Sequence, residues 1–151
     1  MKMNELKKLY YDTKKYSLIS ILTQPSWWGI LNFRMAAFLW RLYWPFKIFY
    51  YFYFPVWRVV SVLLGIEIYG KTEIGPGLKI VHFGQIFINP RAIIGNNCLM
   101  YNSVTIGGSK YVGGVSPTIG NDVSIGVGAK ILGDLSVSDG TKIGANSLLI
   151  K

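Results

Sequence analysis

Aliphatic residues recur at every sixth position from Ile68 to the C-terminus. Three runs keep this register: Ile68, Ile74, Ile80, Ile86; Ile88, Ile94, Met100, Ile106; and Ile119, Ile125, Ile131, Val137, Ile143, Leu149. Mostly small or apolar residues precede many of them by two positions, at Thr72, Ala92, Cys98, Val104, Val123, Ala129, Thr141 and Ser147. A period of six fits neither an α-helix nor a flat alternating strand, but it fits a triangular coil of roughly eighteen residues per turn. We therefore predict a mainly β fold, a parallel β-helix over residues 65–151, with the aliphatic side chains inside the prism.

Glycine follows many of these aliphatic residues directly, at Gly75, Gly95, Gly107, Gly120, Gly126 and Gly144. We expect glycine or asparagine to relieve the corners of the prism, where the backbone needs a positive φ. A segment with four glycines, residues 107–118, interrupts the six-residue register. Excursions from a repeat scaffold often carry binding function, so we predict an arm that leaves one corner of the prism and takes part in binding. The alternative is a tolerated insertion.

The first 64 residues form a different unit, rich in aromatic and basic side chains. Pro25, Pro45 and Pro55 divide residues 16–64 into short helices, because proline breaks the interior of a helix. No Asp or Glu occurs between Asp12 and Glu67, and the charges that interrupt the segment leave no apolar span of about twenty residues. We predict that residues 16–64 lie on a membrane surface without crossing it. The alternative is that they cap the open end of the prism and pack between subunits.

Composition excludes several classes of site and protein. One cysteine and one histidine allow neither a disulfide framework nor a zinc centre, and the sequence contains no nucleotide-binding glycine motif. The net charge of +9 raises the question of nucleic acid, but the aromatic residues cluster with aliphatic ones and do not indicate a stacking surface. No secretory signal is recognisable, so we expect a cytoplasmic protein, peripheral at the cytoplasmic face of the bacterial inner membrane.

The candidate catalytic residues lie just after the third edge of each coil. Two residues after each of these edges stand His82, Asn102, Val127 and Ala145. Equivalent positions stack along one ridge of a β-helix, here on the order of 14 Å long. Glu67 is expected at the same corner, one coil below His82, where its carboxylate would hydrogen bond to the imidazole and stabilise the protonated form. This pairing makes His82 a candidate general base.

Five segments carry a family resemblance, and they are residues 66–68, 80–84, 103–108, 125–133 and 142–145. Through them the chain resembles the hexapeptide-repeat acyltransferases, specifically the serine O-acetyltransferase branch and its relatives in bacterial polysaccharide biosynthesis. The resemblance implies a left-handed parallel β-helix, a homotrimer with active sites between neighbouring prisms, acetyl-CoA as the acyl donor and no metal.

The resemblance also implies roles for individual residues. His82 would remove the proton from an acceptor hydroxyl, and Glu67 would orient it, at a position where the family usually has aspartate. Candidate cofactor-binding residues are Gly108, Ser109, Val127, Gly128, Lys130, Lys142 and Ala145. Among them, the two lysines are candidates for the CoA phosphates, the alternative being that they only solubilise the surface.

Departures from the family pattern concern the acceptor. Val81 replaces an aspartate before the histidine, and Val115 and Ser116 replace an arginine and a histidine in the glycine loop. The candidate acceptor-binding residues are Val81, Asn102 and Ser116. Neutral groups suit a zwitterionic amino acid poorly, so we predict transfer to a sugar hydroxyl of a surface polysaccharide or its lipid-linked precursor. The alternatives are a serine or other small-molecule acetyltransferase, and a non-catalytic scaffold at the membrane.

Overall fold

The computed structural model describes residues 3–108 and 114–151. Its helices are α1 (Glu5–Thr13), α2 (Leu18–Thr23), α3 (Pro25–Trp40) and α4 (Ile48–Leu64). The strands that follow are β1 (Ile66–Ile68), β2 (Glu73–Ile74), β3 (Lys79–Ile80), β4 (Ile86–Ile88), β5 (Ile93–Ile94), β6 (Leu99–Met100), β7 (Thr105–Gly107), β8 (Thr118–Ile119), β9 (Ser124–Ile125), β10 (Lys130–Leu132), β11 (Ser136–Val137), β12 (Lys142–Ile143) and β13 (Leu148–Ile150).

The strands form three parallel sheets that the chain visits in turn. Sheet A has the order β1-β4-β7-β10-β13, sheet B has β2-β5-β8-β11, and sheet C has β3-β6-β9-β12. All the strand pairs are parallel, and Ile68 pairs with Ile88, which pairs with Ile106 in the next coil. One strand from each sheet therefore makes one coil of a triangular parallel β-helix.

The six-residue register produces the core of the prism. Its aliphatic members from Ile68 to Ile143 are buried, and only Leu149, in the last strand, is partly exposed. The small residues two positions earlier are also buried from Thr72 to Ala129. Stacking these inward rows coil upon coil removes their apolar surface from water, which is the main stabilising contribution in such a fold. Among the described residues of the prism, two buried aliphatic residues lie outside the predicted rows, Ile66 and Leu78.

Glycine and asparagine occupy several left-handed positions at the corners of the prism, as predicted. Left-handed residues stack at two corners: Gly65, Gln85, Ser103, Gly128 and Asn146 where sheet C leads into sheet A, and Gly77, Asn97, Asp122 and Gly140 where sheet B leads into sheet C. The glycines that directly follow the aliphatic residues are not among these positions, because none of them has a positive φ. They are needed for close stacking instead. A methyl group on Gly95, for example, would lie 2.5 Å from the carbonyl oxygen of Gly120.

The helices cover the end of the prism at the first coil. Arg34, fully buried on α3, donates to the carbonyl oxygens of Ile74 and Gly75 at 3.0 and 2.7 Å. Asp12 on α1 accepts from the backbone N–H groups of Gly77 and Leu78 at 2.7 and 2.9 Å. The first coil has no preceding coil to pair with, and these side chains satisfy backbone groups that it would otherwise leave unpaired.

Helix α4 begins after a turn at residues 41–47 and is capped by Gly65, whose left-handed φ of 62° terminates the helix. Pro55 lies inside this helix, so the expected break at that proline is wrong. Its inner side packs against α3 and β1, where the indole N–H of Trp57 donates to the carbonyl oxygen of Ile68 at 3.1 Å. Across the described residues, the length and hydropathy of the helices provide no candidate membrane-spanning segment.

Candidate active site

His82 lies in a bulge at the corner between sheets C and A, which we call the C–A corner. Ile80 pairs with Met100 and Phe87 with Thr105, so the first coil has two more residues at this corner than the second. The backbone N–H of Ser103 donates to the carbonyl oxygen of Gly84 at 3.1 Å. Gly84 therefore occupies the place beside Asn102 that the sequence analysis gave to His82.

The predicted ridge is thus corrected at its first position, where Gly84 stacks below Asn102, Val127 and Ala145. The two-residue slip between Ile86 and Ile88 was the sequence signal for this bulge. Because the extra residues project from the corner, the His82 side chain is exposed to solvent. An exposed imidazole is accessible to an acceptor hydroxyl, as a general base must be.

Glu67 lies in the middle of β1 with its side chain pointing outward, and it has partners that the sequence analysis missed. The hydroxyl of Tyr69 donates to one carboxylate oxygen at 2.6 Å, and Arg58 on α4 forms an ion pair with the other at 2.9 Å. The hydrogen bond to Glu67 is the main reason that the pKa of Tyr69 is raised. No hydrogen bond joins Glu67 to His82 within residues 3–108 and 114–151, so the predicted pairing is not formed there.

The signal for Tyr69 was present in the sequence, because residues two apart on a strand share a face. Arg58 could not be found in the same way. It is nine residues from Glu67, in a helix whose packing on β1 is decided only by the tertiary structure.

Polar side chains surround the base of the bulge. The Ser103 hydroxyl donates to Gln85 Oε1 at 3.1 Å, and the Asn102 amide donates to Ser103 Oγ at 3.4 Å. The ring of Tyr101 lies 6.2 Å from that of His82, centroid to centroid. Val81 is half-buried in the backbone ladder of sheet C. Val81 and Asn102, the two acceptor candidates of this region, therefore lie at the same corner as His82.

Three of the candidate cofactor-binding residues lie at the same C–A corner, in the coils nearer to the C-terminus. Val127 and Ala145 are exposed, and Gly128 has a left-handed φ of 74° with its N–H bonded to the Asn102 carbonyl oxygen at 3.1 Å. A methyl group on Gly128 would collide with the side-chain amide of Asn146. Small side chains leave the edge shallow enough for an extended ligand to lie along it, as a pantetheine arm would.

The two candidate lysines lie on either side of the C–A corner. Lys130 begins β10, and its ammonium donates to the Ser103 carbonyl oxygen at 2.9 Å and to Thr105 Oγ1 at 3.1 Å. It ties two coils together, which leaves less of its hydrogen-bonding capacity for a phosphate. Lys142, in β12, is exposed. Lys142 therefore fits the CoA phosphates better than Lys130.

The remaining candidates lie at another corner of the prism, between sheets A and B. A methyl group on Gly108 would lie 2.8 Å from Ser116 Oγ and 2.9 Å from the Val115 carbonyl oxygen, so the two ends of the arm meet there. Ser116 Oγ is buried and has no hydrogen-bond partner among the described residues. Ser109 lies outside the described residues. One chain alone thus does not bring Gly108 and Ser116 to the corner of His82.

Comparison with known proteins places the chain among serine acetyltransferases. No protein-family model matches it. It is 35% identical over 131 residues to the serine acetyltransferase of Helicobacter pylori, covering 86% of this chain and 74% of that enzyme. With the serine acetyltransferase of Synechococcus elongatus it shares 38% identity over 91 residues, which cover 60% of this chain but only 37% of the relative.

Solved structures of serine acetyltransferases have the same fold as this chain. Neisseria gonorrhoeae serine acetyltransferase in complex with serine has a TM-score of 0.80 and 27% identity over 95% of this chain and 61% of its own. Entamoeba histolytica serine acetyltransferase isoform 3, in complex with cysteine, has a TM-score of 0.72 and 28% identity over 97% of this chain and 54% of its own. The chain thus spans a little over half the length of these two proteins.

These similarities confirm the predicted left-handed β-helix with an N-terminal helical segment. They favour the serine acetyltransferase branch over the polysaccharide branch that the sequence analysis also named. The chain therefore belongs to the serine acetyltransferase family of hexapeptide-repeat acyltransferases, and the prediction of an O-acetyltransferase is confirmed.

Proposed function

We propose that the chain transfers an acetyl group from acetyl-CoA to the hydroxyl of serine, with His82 as the general base. The observation that carries the proposal is an exposed imidazole at one end of a shallow edge formed by Val127, Gly128 and Ala145. The 35% identity to the Helicobacter pylori enzyme supports serine as the acceptor.

His82 would take the proton of the acceptor hydroxyl as its oxygen attacks the thioester carbonyl carbon. The carbon–sulfur bond then breaks, and the protonated imidazole returns the proton to the leaving thiolate. Backbone N–H groups would stabilise the oxyanion that forms between these steps. The phosphates of the donor would lie toward Lys142.

Glu67 would orient His82 after a change of partner. Its carboxylate would leave the ion pair with Arg58 and accept a hydrogen bond from the imidazole of His82. The Arg58 side chain is 50% exposed and that of Glu67 28%. Exposed ion pairs of this kind contribute about 1 kcal/mol or less, so the exchange is not costly. Tyr69 would hold the carboxylate on the correct side of β1 during the exchange.

The distribution of candidates over two corners supports a homotrimer. The corner of His82 and the corner of Gly108 and Ser116 are different edges of one prism. In a three-fold assembly the first corner of one subunit can face the second corner of its neighbour. We therefore propose that each active site is shared between two subunits, with the arm of one chain covering the donor that is bound to the next.

Subunit mixing tests this arrangement. His82→Ala and Gly108→Val should each be nearly inactive, the second because its side chain would displace Ser116. After unfolding and refolding of an equal mixture, random assembly should restore about a quarter of the wild-type rate, since that share of sites combines an intact histidine with an intact arm. Light scattering should show a trimer for each variant alone. No recovery in a mixed trimer would place the whole site in one chain.

A sugar hydroxyl is the second candidate acceptor. Val81, Val115 and Ser116 offer no charge to an amino acid, and that observation favours a neutral acceptor. The exposed aromatic residues of the helical segment also favour an acceptor that is presented at a membrane.

Acetyl transfer to L-serine and to free monosaccharides distinguishes the two acceptors. We expect kcat/KM for serine to exceed that for any sugar by at least about tenfold, because a site that hydrogen bonds one acceptor discriminates strongly against another. Release of CoA can be followed with a thiol reagent, and a sample without acceptor gives the background hydrolysis. Faster transfer to a sugar would establish the second candidate instead.

A further inference from the structure

The side of α4 that faces away from the protein is apolar. Its inner stripe, which includes Tyr50 and Trp57, is buried against α3 and the first coil. Its outer face consists of side chains that are each more than half exposed: Ile48, Phe49, Tyr51, Phe52, Val56, Val59, Val62 and Leu63. A surface helix of a soluble protein normally has polar residues on this side.

The turn before α4 adds to this face. Tyr43 and Trp44 are 79% and 77% exposed, and Phe46 is 54% exposed. Together with the outer face of α4 they make one continuous stretch of sequence with large exposed apolar side chains, which we call the aromatic surface. Exposed apolar groups on this scale indicate a binding surface.

Charge identifies the kind of partner. Lys47 stands at the start of α4 with its ammonium 4.6 Å from the centre of the Trp40 ring. Arg58 on the same helix is half exposed and is paired with Glu67, so Lys47 carries most of the charge argument. Residues 13–66 contain no Asp or Glu, so every charged side chain within the aromatic surface is basic. Anionic headgroups attract such a surface, and tyrosine, tryptophan and lysine suit the boundary between lipid and water.

From this geometry we propose that the aromatic surface binds an anionic phospholipid bilayer. Helix α4 lies in the interface with its outer face among the acyl chains, and Lys47 reaches the headgroups. Pro55 and a length of 17 residues suit a helix that lies on the bilayer better than one that crosses it. A second copy of the chain is the competing occupant, but the same segment of that copy, residues 13–66, has no acidic group to pair with Lys47.

Vesicle flotation of the purified full-length protein tests the proposal. Wild type should float with vesicles that contain phosphatidylglycerol and much less with vesicles of phosphatidylcholine alone. The double variant Phe52→Gln, Leu63→Gln should lower the partition coefficient at least about tenfold, because it removes two large apolar side chains from the interface. Lys47→Ala should lower it roughly fivefold, and only with anionic vesicles.

Ile150→Gln is the matched control. Ile150 is 69% exposed but lies in the last coil, at the opposite end of the prism from the helices. Its replacement should leave flotation unchanged. Acetyl transfer to a soluble acceptor should be the same in wild type and in the double variant, which separates this proposal from the proposed function.

Three results would overturn the proposal: failure of wild type to float with anionic vesicles, equal flotation with neutral vesicles, or equal loss in Ile150→Gln. If the double variant reduces the oligomer size in light scattering while flotation is unchanged, the occupant is a second copy of the chain.

Discussion

His82→Ala should reduce kcat for acetyl transfer by about 10²–10⁴-fold, the range that a general base contributes. The donor-binding edge is formed by other residues, so KM for acetyl-CoA should change little. Because His82 is exposed in a bulge, its truncation removes few packing contacts, and thermal stability should stay near that of wild type. The measurements are steady-state kinetics with both substrates and a melting curve.

Phe83→Ala is the matched control for His82→Ala. Phe83 is the neighbouring residue in the same bulge and is 50% exposed. Its loss should affect kcat much less than the loss of the imidazole. Full activity in His82→Ala would show that the imidazole is not the general base.

Arg34→Met should destabilise the protein by about 3–5 kcal/mol, the cost of leaving a buried charge without its partner. Arg34 donates to Asp12 Oδ2 at 2.7 Å and to Glu5 Oε2 at 2.9 Å, and all three side chains are almost completely buried. Denaturant unfolding followed by circular dichroism gives the free energy. Lys15→Met, which replaces an exposed charge, should change it by less than about 0.5 kcal/mol.

The loss of folding stability in Arg34→Met should depend on pH. Burial raises the pKa of Asp12, and Arg34 together with the N–H groups of Leu78 and Gly77 opposes that rise. Without Arg34 the folded-state pKa rises further. The stability deficit should therefore be smallest near the ordinary value of 3.8 and grow as the pH increases above it. A deficit independent of pH would mean that Asp12 does not carry the effect.

The network around Arg34 explains how a short helical segment can close a β-helix. Tyr16 adds a hydroxyl that accepts from the Ile80 N–H at 2.9 Å and donates to the Ile80 carbonyl oxygen at 2.8 Å. Buried side chains from α1, from α3 and from the turn after α1 thus pair with the backbone of the first coil, as a further coil would. Residues 3–64 are consequently part of the folded unit in addition to presenting the aromatic surface.

The repeat of six residues determined the coil, its inward rows and the corner on which Val81, Asn102, Val127 and Ala145 lie. Such a pattern is local and periodic, because each coil repeats the contacts of the previous one, and a sequence can show it directly. The same regularity led to a wrong predicted position for His82. Counting from Ile80 gave it the place of Gly84, whereas the two extra residues of the bulge carry it out of the stack.

The sequence by itself determined a triangular coil, its aliphatic interior and a single imidazole close to one corner. Only the tertiary structure decided that Glu67 binds Arg58 and Tyr69, that Lys130 ties two coils together, and that Asp12 and Arg34 close the first coil. The physical reason is the range of the interactions. Repeat packing depends on neighbours at a fixed spacing, whereas these polar contacts depend on how helices with no periodic relation to the coil pack against it.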